Sequence, residues 1–264
     1  MFPPALNNLR CANHTRLDVA MKKYLYLLLS ALLVVLPFSG CDVAQQAASA
    51  VINSQGQPTT LEITSALKQA LEQGSTNGAQ QLSAVDGFFA NAAVKILFPP
   101  EARKAESTLR SLGLGKLADD VILSLNRAAE DAAKQAKPIF VSAVKQMTLA
   151  DVTNILLGSQ DAATQYFKRV TTAELVNQFK PVIQNSLGKV GATRYYTDAV
   201  TAYNKIPLVT KLNPDISDYA TQKAIEGVFY QIAQEELKIR QNISFRTTPL
   251  LQKVFGYADR NKRS

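Results

Sequence analysis

From Thr59 onward, apolar residues recur at intervals of three and four, the spacing that gathers side chains on one face of a helix. "TTLEITSALKQALEQG" carries Leu61, Leu67, Ala70 and Leu71, continued by Leu82 and Val85, and Thr59 and Glu62 stand at capping-box spacing ahead of it. "FPPEARKAESTLRSLGLG" opens on Pro99-Pro100 and closes on Gly113 and Gly115, as a helix start and stop should. "LADDVILSLNRAAEDAAKQAK" aligns Leu117, Val121, Leu125, Ala128 and Ala132; Pro138 interrupts, and the pattern resumes from Ile139 to Met147. "TLADVTNILLG" has a Thr148/Asp151 cap and a terminal Gly158, and "TTAELVNQFKPVIQNSLG" repeats the capping signature with Thr171 and Glu174. "TRYYTDAVTAYNKI" stops before Pro207. The turn-rich "PLVTKLNPDIS" leads into a long helical pattern, "DYATQKAIEGVFYQIAQEELKIRQ". "TPLLQKVFG" follows, with Thr248 as cap and Pro249 at the first helical position. Strand-like alternation never persists, and Asp86-Gly87 falls between helical segments rather than between two strands. The pattern predicts an all-α protein, with a single multi-helix, bundle-like domain over residues 59–256 and no internal repeat.

The residues before Thr59 follow a different rule. Met21-Lys22-Lys23 is a charged start, Tyr24 to Leu36 an apolar run, and Pro37 breaks it short of the roughly 20 residues a membrane-spanning helix needs. The small pair Ser39-Gly40 then meets Cys41. This order resembles a bacterial lipobox, in which the cysteine thiol is lipidated and the chain is cut before it. The competing reading is an ordinary cleaved signal, or an uncleaved anchor with an incidental cysteine. The lipobox implies an upstream extension over 1–20, a lipoprotein signal peptide over 21–40, a tether over 41–58 and a basic tail over 257–264. It also implies attachment to the membrane through lipid at Cys41, with the protein facing the periplasm. Asp42 next to that cysteine favours the inner membrane over the outer.

Composition then narrows the chemistry. The chain has 264 residues and one histidine, His14, and its two cysteines are Cys11 and Cys41. A mature chain starting at Cys41 has no histidine, no tryptophan and no free thiol. That removes Ser-His-Asp and Cys-His machinery and zinc sites built on His or Cys. No catalytic residue, metal ligand or cofactor is assigned. Asp119-Asp120 and Glu235-Glu236 are sequence neighbours that diverge by about 100° on a helix, so they read as solvated faces.

Charge is uneven. Residues 41–237 hold 18 Lys and Arg against 19 Asp and Glu, whereas residues 238–264 hold 7 against 1. The basic end fits a solvated helix terminus or attraction to anionic headgroups. Nucleic acid is not an expected partner, because no recognition motif accompanies the charge.

Three ordered fragments carry a family resemblance. "VDGFFANAAVKILFPPEARKAESTLRSLGLG", "NRAAEDAAKQAKPIFVSAVKQMTLADVTNILLGSQDAATQYFK" and "DYATQKAIEGVFYQIAQEELKIRQNISFRTTPLLQKVFG" resemble the bacterial DUF4197 proteins over roughly Leu61 to Gly256. The resemblance implies an exported, often lipidated, helical domain and supplies no activity. Two polar clusters remain as candidates. Arg240, Arg246, Thr248 and Lys253 flank a helix N-terminus and fit an anion site, or else ion pairs with Glu235 and Glu236. Asn126, Arg127 and Glu130 fit the polar floor of a pocket, or else ordinary pairing on one helix. The function these features favour is a non-enzymatic binding or interaction module for a hydrophobic or anionic envelope component. The alternative is a carboxylate-dependent envelope hydrolase, which needs two acids across one cleft and a raised carboxyl pKa.

Overall fold

The computed structural model describes residues 57–189, 192–205, 207 and 211–261. The chain runs through α1 (Thr60–Ser83), a 3₁₀ turn (Pro100–Ala102), α2 (Arg103–Ser111), α3 (Gly115–Ala133), α4 (Ala136–Lys145) and α5 (Leu149–Leu156). It continues through α6 (Ala162–Lys189), α7 (Ala192–Tyr203), α8 (Ser217–Gln241), a second 3₁₀ turn (Ile243–Phe245) and α9 (Pro249–Asn261). None of the described residues is in a strand, so the fold is all-α, as the periodicity predicts. No helix among the described residues is long and apolar enough to cross a membrane. The upstream extension, the signal peptide, Cys41 and the tether up to residue 56 lie outside the described residues.

Capping residues start several helices where the sequence places them. At α1, Glu62 N–H donates to the Thr59 hydroxyl at 3.2 Å, while Glu62 Oε2 accepts from Thr59 N–H at 2.8 Å. At α5 the same reciprocal pair joins Thr148 and Asp151. Leu251 N–H donates to the Thr248 hydroxyl at 3.3 Å and starts α9. Gly113, at φ +78°, closes α2.

The core lies where α1, α3, α6 and α8 pack together. The interior face of α3 is alanine-rich, with Ala128, Ala129, Ala132 and Ala133 buried, which lets its neighbours approach closely. Larger side chains fill the space around it: Phe88, Phe140, Phe167 and Phe179 are fully buried, and the Phe140 and Phe167 rings meet edge to face at 5.0 Å.

Two boundaries differ from the sequence reading. Thr171 does not start a helix, because α6 runs through it without a break. The Thr171 hydroxyl is buried and donates back to Phe167 O at 2.7 Å, so it serves the helix interior instead of a cap. The basic tail expected over 257–264 is helical as far as Asn261. Ala258 is buried, and Asp259 pairs with Arg246 at 2.8 Å, which fixes this last turn to the domain.

Candidate functional site

Asn126, Arg127 and Glu130 hold a loop in place. The chain between α1 and α2 crosses the domain without a strand to satisfy its backbone, and α3 supplies the missing partners. Asn126, fully buried, accepts from Ile96 N–H at 2.8 Å and donates to Ile96 O at 2.8 Å and to Ile122 O at 2.7 Å. Glu130 Oε1 accepts from the Phe88 and Phe89 amides at 3.1 and 3.2 Å, and its other oxygen takes Arg127 at 2.6 Å. Arg127 also reaches Asp86 at 2.7 Å, where φ is +68°. These side chains bind backbone and one another, as the pairing alternative has it.

The basic cluster is likewise engaged. Arg240 donates to Glu236 at 2.9 Å, to Ile155 O at 2.7 Å and to Leu156 O at 3.3 Å. Arg246 donates to Ile239 O at 3.0 Å and to Arg240 O at 2.8 Å, the last carbonyls of α8, and pairs with Asp259. Both guanidinium groups turn inward and are buried. Lys253 pairs with Glu62 at 2.7 Å, and the Thr248 hydroxyl donates to Gln69 at 3.1 Å. The four residues do not converge on an open cleft. The space beside Arg240 and Glu236 amounts to about 20 Å³, room for a water at most.

Two other concavities are much larger, and a third is smaller. A groove of about 730 Å³ runs between α4 and α6, with Pro138, Ile139 and Val170 on its walls and Asp151 and Arg169 at 3.4 Å from each other. A second groove, of about 450 Å³, lies between the extended segment 93–98 and α8. Lys95, Arg103 and Lys223 bring three cations to it against one carboxylate, Glu226, and Tyr219 and Tyr230 add aromatic surface. Lys223 pairs with Glu226 at 2.6 Å and Lys95 stands 4.0 Å over the Phe89 ring, whereas Arg103 makes no ion pair among the described residues. The third is an apolar cavity beneath α2, and it shares Phe98 with the second groove.

Sequence reasoning passed over this cationic groove because its members come from different segments. Lys95 and Arg103 flank "ILFPPEA", and Lys223 arrives from α8 more than a hundred residues later. The turn at Pro99-Pro100 brings the first two together. The one available signal was basic residues on both sides of a rigid proline pair.

Carboxylate chemistry finds little support in the geometry. Among the described residues, every carboxyl with a displaced pKa is displaced downward. Asp151 in the larger groove is held down by the Thr148 hydroxyl and amide, and Asp161 by Gln165 and Ser159. No group of three or more potential metal-ligating side chains occurs among the described residues.

Neither the curated proteins nor the solved structures contain a match to this chain. A family model does match, over residues 57–256, and its description is protein of unknown function (DUF4197). That span starts just before α1, includes both polar clusters and the cationic groove, and ends within α9: the chain belongs to the DUF4197 family.

Proposed function

We propose that this is a lipid-anchored bacterial envelope protein, attached through Cys41 and facing the periplasm, whose helical domain binds an anionic envelope component in the groove formed by Lys95, Arg103 and Lys223. The single observation that carries the binding role is the excess of cations over carboxylates in that groove, with Arg103 free of any ion pair among the described residues. An anion at Arg103 would find charge without displacing an ion-pair partner among the described residues, unlike at Arg240 or Arg246. The sequence around Cys41 supports the anchor, and Asp42 supports the inner membrane.

The position of α9 fits the same role. α9 runs antiparallel to α1, with Thr248 against Gln69 and Lys253 against Glu62. α9 thus runs back towards the Thr59 end of α1 and carries Arg260 in its last turn, a basic charge that suits anionic headgroups.

Two measurements test the proposal. Cys41→Ser should release the protein from the membrane fraction, and unchanged detergent partitioning would refute the anchor. Arg103→Glu should weaken retention on phosphatidylglycerol vesicles relative to phosphatidylcholine vesicles. Equal binding by the wild type and the variant would refute the groove.

A further inference from the structure

Leu97 points outward from a segment that is otherwise held in. Over Ile96, Leu97 and Phe98 the exposure runs 2%, 48% and 2%, the alternation of an extended chain with one face buried. The backbone leaves that leucine little freedom to turn away. Asn126 on α3 accepts from Ile96 N–H and donates to Ile96 O, each at 2.8 Å. From α8, the Tyr219 hydroxyl donates to Leu97 O at 3.1 Å, and Pro99-Pro100 stiffens the exit from the segment. A leucine exposed by itself needs no explanation, but this one has company.

On the other bank of the cationic groove, α8 presents Tyr219, Lys223, Glu226 and Tyr230. Their spacing of four, three and four residues puts them on one stripe of the helix. Tyr230 is 43% exposed. Each bank therefore lifts a large apolar side chain to the surface, Leu97 on one and Tyr230 on the other, and both share the groove with Lys95, Arg103 and Lys223. Tyrosine suits the boundary between water and lipid, because it joins an apolar ring to a polar tip. Ile243 and Phe245 are exposed as well, but the cation beside Phe245, Lys238, is paired with Glu235 at 2.6 Å. Arg103 has no such partner among the described residues.

We propose that the groove face is the surface the domain lays on an anionic bilayer, with a phospholipid headgroup between the banks and Leu97 and Tyr230 in the interfacial layer. The proposal rests on the anion-binding reading of the groove and on the anchor at Cys41, and it makes the bilayer itself the ligand. Charge selects the surface, because three cations meet one carboxylate, Glu226, which Lys223 already pairs. Apolar contact then holds the face down at ionic strengths that screen exposed charges. Reach is no obstacle. Seventeen residues separate Cys41 from Thr59. Their full contour is about 55 Å, longer than the diameter of about 40 Å expected for a domain of this size. The anchor thus allows any face to reach the bilayer, and charge with the apolar pair chooses this one.

The chain contains no tryptophan, so a single introduced indole reports its own surroundings. Leu97→Trp and, separately, Tyr230→Trp are placed in the lipidated protein and held in nanodiscs of phosphatidylcholine, alone or mixed with phosphatidylglycerol. The anchor keeps the protein on both discs, so only docking of the face differs. Both indoles should shift to the blue with phosphatidylglycerol and be quenched by lipid brominated along its chains, and neither should shift on phosphatidylcholine. Arg103→Glu should abolish both shifts. Leu149→Trp, at an exposed position of α5 outside the groove, should keep its solvent-exposed emission on both discs. A second arm adds glycerol 1-phosphate to the wild type on phosphatidylcholine discs and follows hydrogen exchange over residues 93–103. It should slow exchange less than phosphatidylglycerol does, because it lacks the apolar contact. Indoles that never shift, beside glycerol phosphate that slows exchange in the wild type but not in Arg103→Glu, would overturn the bilayer face and leave the anion groove standing. No response in either arm would overturn both readings. A blue shift that survives Arg103→Glu, or that Leu149→Trp shares, would detach insertion from the groove and overturn the proposal.

Discussion

Glu236 and Arg240 lie one turn apart on α8, Oε1 to Nε at 2.9 Å, and together they terminate two other helices. Arg240 takes the last carbonyls of α5, Ile155 and Leu156, where the helix dipole is negative. Glu236 takes the first amides of α6, Ala163 and Thr164, each at 2.9 Å, and the Thr164 hydroxyl at 2.8 Å. The pair is therefore a cap supplied from outside for both sides of the turn between α5 and α6.

Arg240→Ala or Glu236→Ala alone should cost about 3–5 kcal/mol, because each leaves a buried charge uncompensated. Replacing both with apolar residues often restores stability at an isolated buried pair. Here it should not, since four backbone groups of α5 and α6 also lose their partners. Denaturant melts of the two single variants and the Glu236→Met/Arg240→Leu double variant check this.

Asn126→Leu should destabilise the domain by about 3 kcal/mol, because the Ile96 amide and carbonyl are left unsatisfied in the interior. The loop over residues 84–99 should become the first site of proteolytic cleavage. Limited digestion followed by mass mapping reads both the rate and the position.

Gly227 on α8 permits a close approach. A Cβ there would stand 2.5 Å from Phe88 Cε1, and Phe88 is fully buried. Gly227→Ala should cost about 1–3 kcal/mol through overpacking, and adding Phe88→Leu should recover part of that loss. Equilibrium unfolding of the single and double variants separates a clash from a plain helix-propensity gain.

Glu62 makes the clasp between α1 and α9 sensitive to acid. Lys253 first, then the Thr59 amide and hydroxyl, hold its pKa down from 4.5 to about 2. A depressed carboxyl contributes its full stabilisation above pH 4.5 and loses it as the pH falls towards 2. The melting-temperature advantage of the wild type over Glu62→Gln should therefore be constant at neutral pH. It should shrink through that window and vanish near its lower end.

Much of the helical layout is legible in the sequence because caps are local. Thr59 with Glu62 and Thr148 with Asp151 need only three residues to satisfy each other. Thr171 and Glu174 present the same spacing, yet Thr171 is buried inside α6, and only packing against the rest of the domain decides between cap and interior. The inward turn of Arg240 and Arg246 follows from the apolar face of α9, which has to be buried. Their carbonyl partners do not follow, because backbone acceptors leave no mark in the sequence.

The antiparallel pairing of α1 with α9 sets the timing of folding. Lys253 and Glu62 are 191 positions apart, and Thr248 and Gln69 are 179 apart. A chain that emerges from the ribosome amino-end first presents α1 early and the helix that covers it last. The apolar stripe of α1 therefore waits, without α8 or α9, until almost the whole polypeptide has been made, and contacts of such long sequence separation close slowly. Throughout that interval the nascent chain is a natural client for holding factors, and a ribosome stalled before codon 249 would leave a product unable to seal its own first helix.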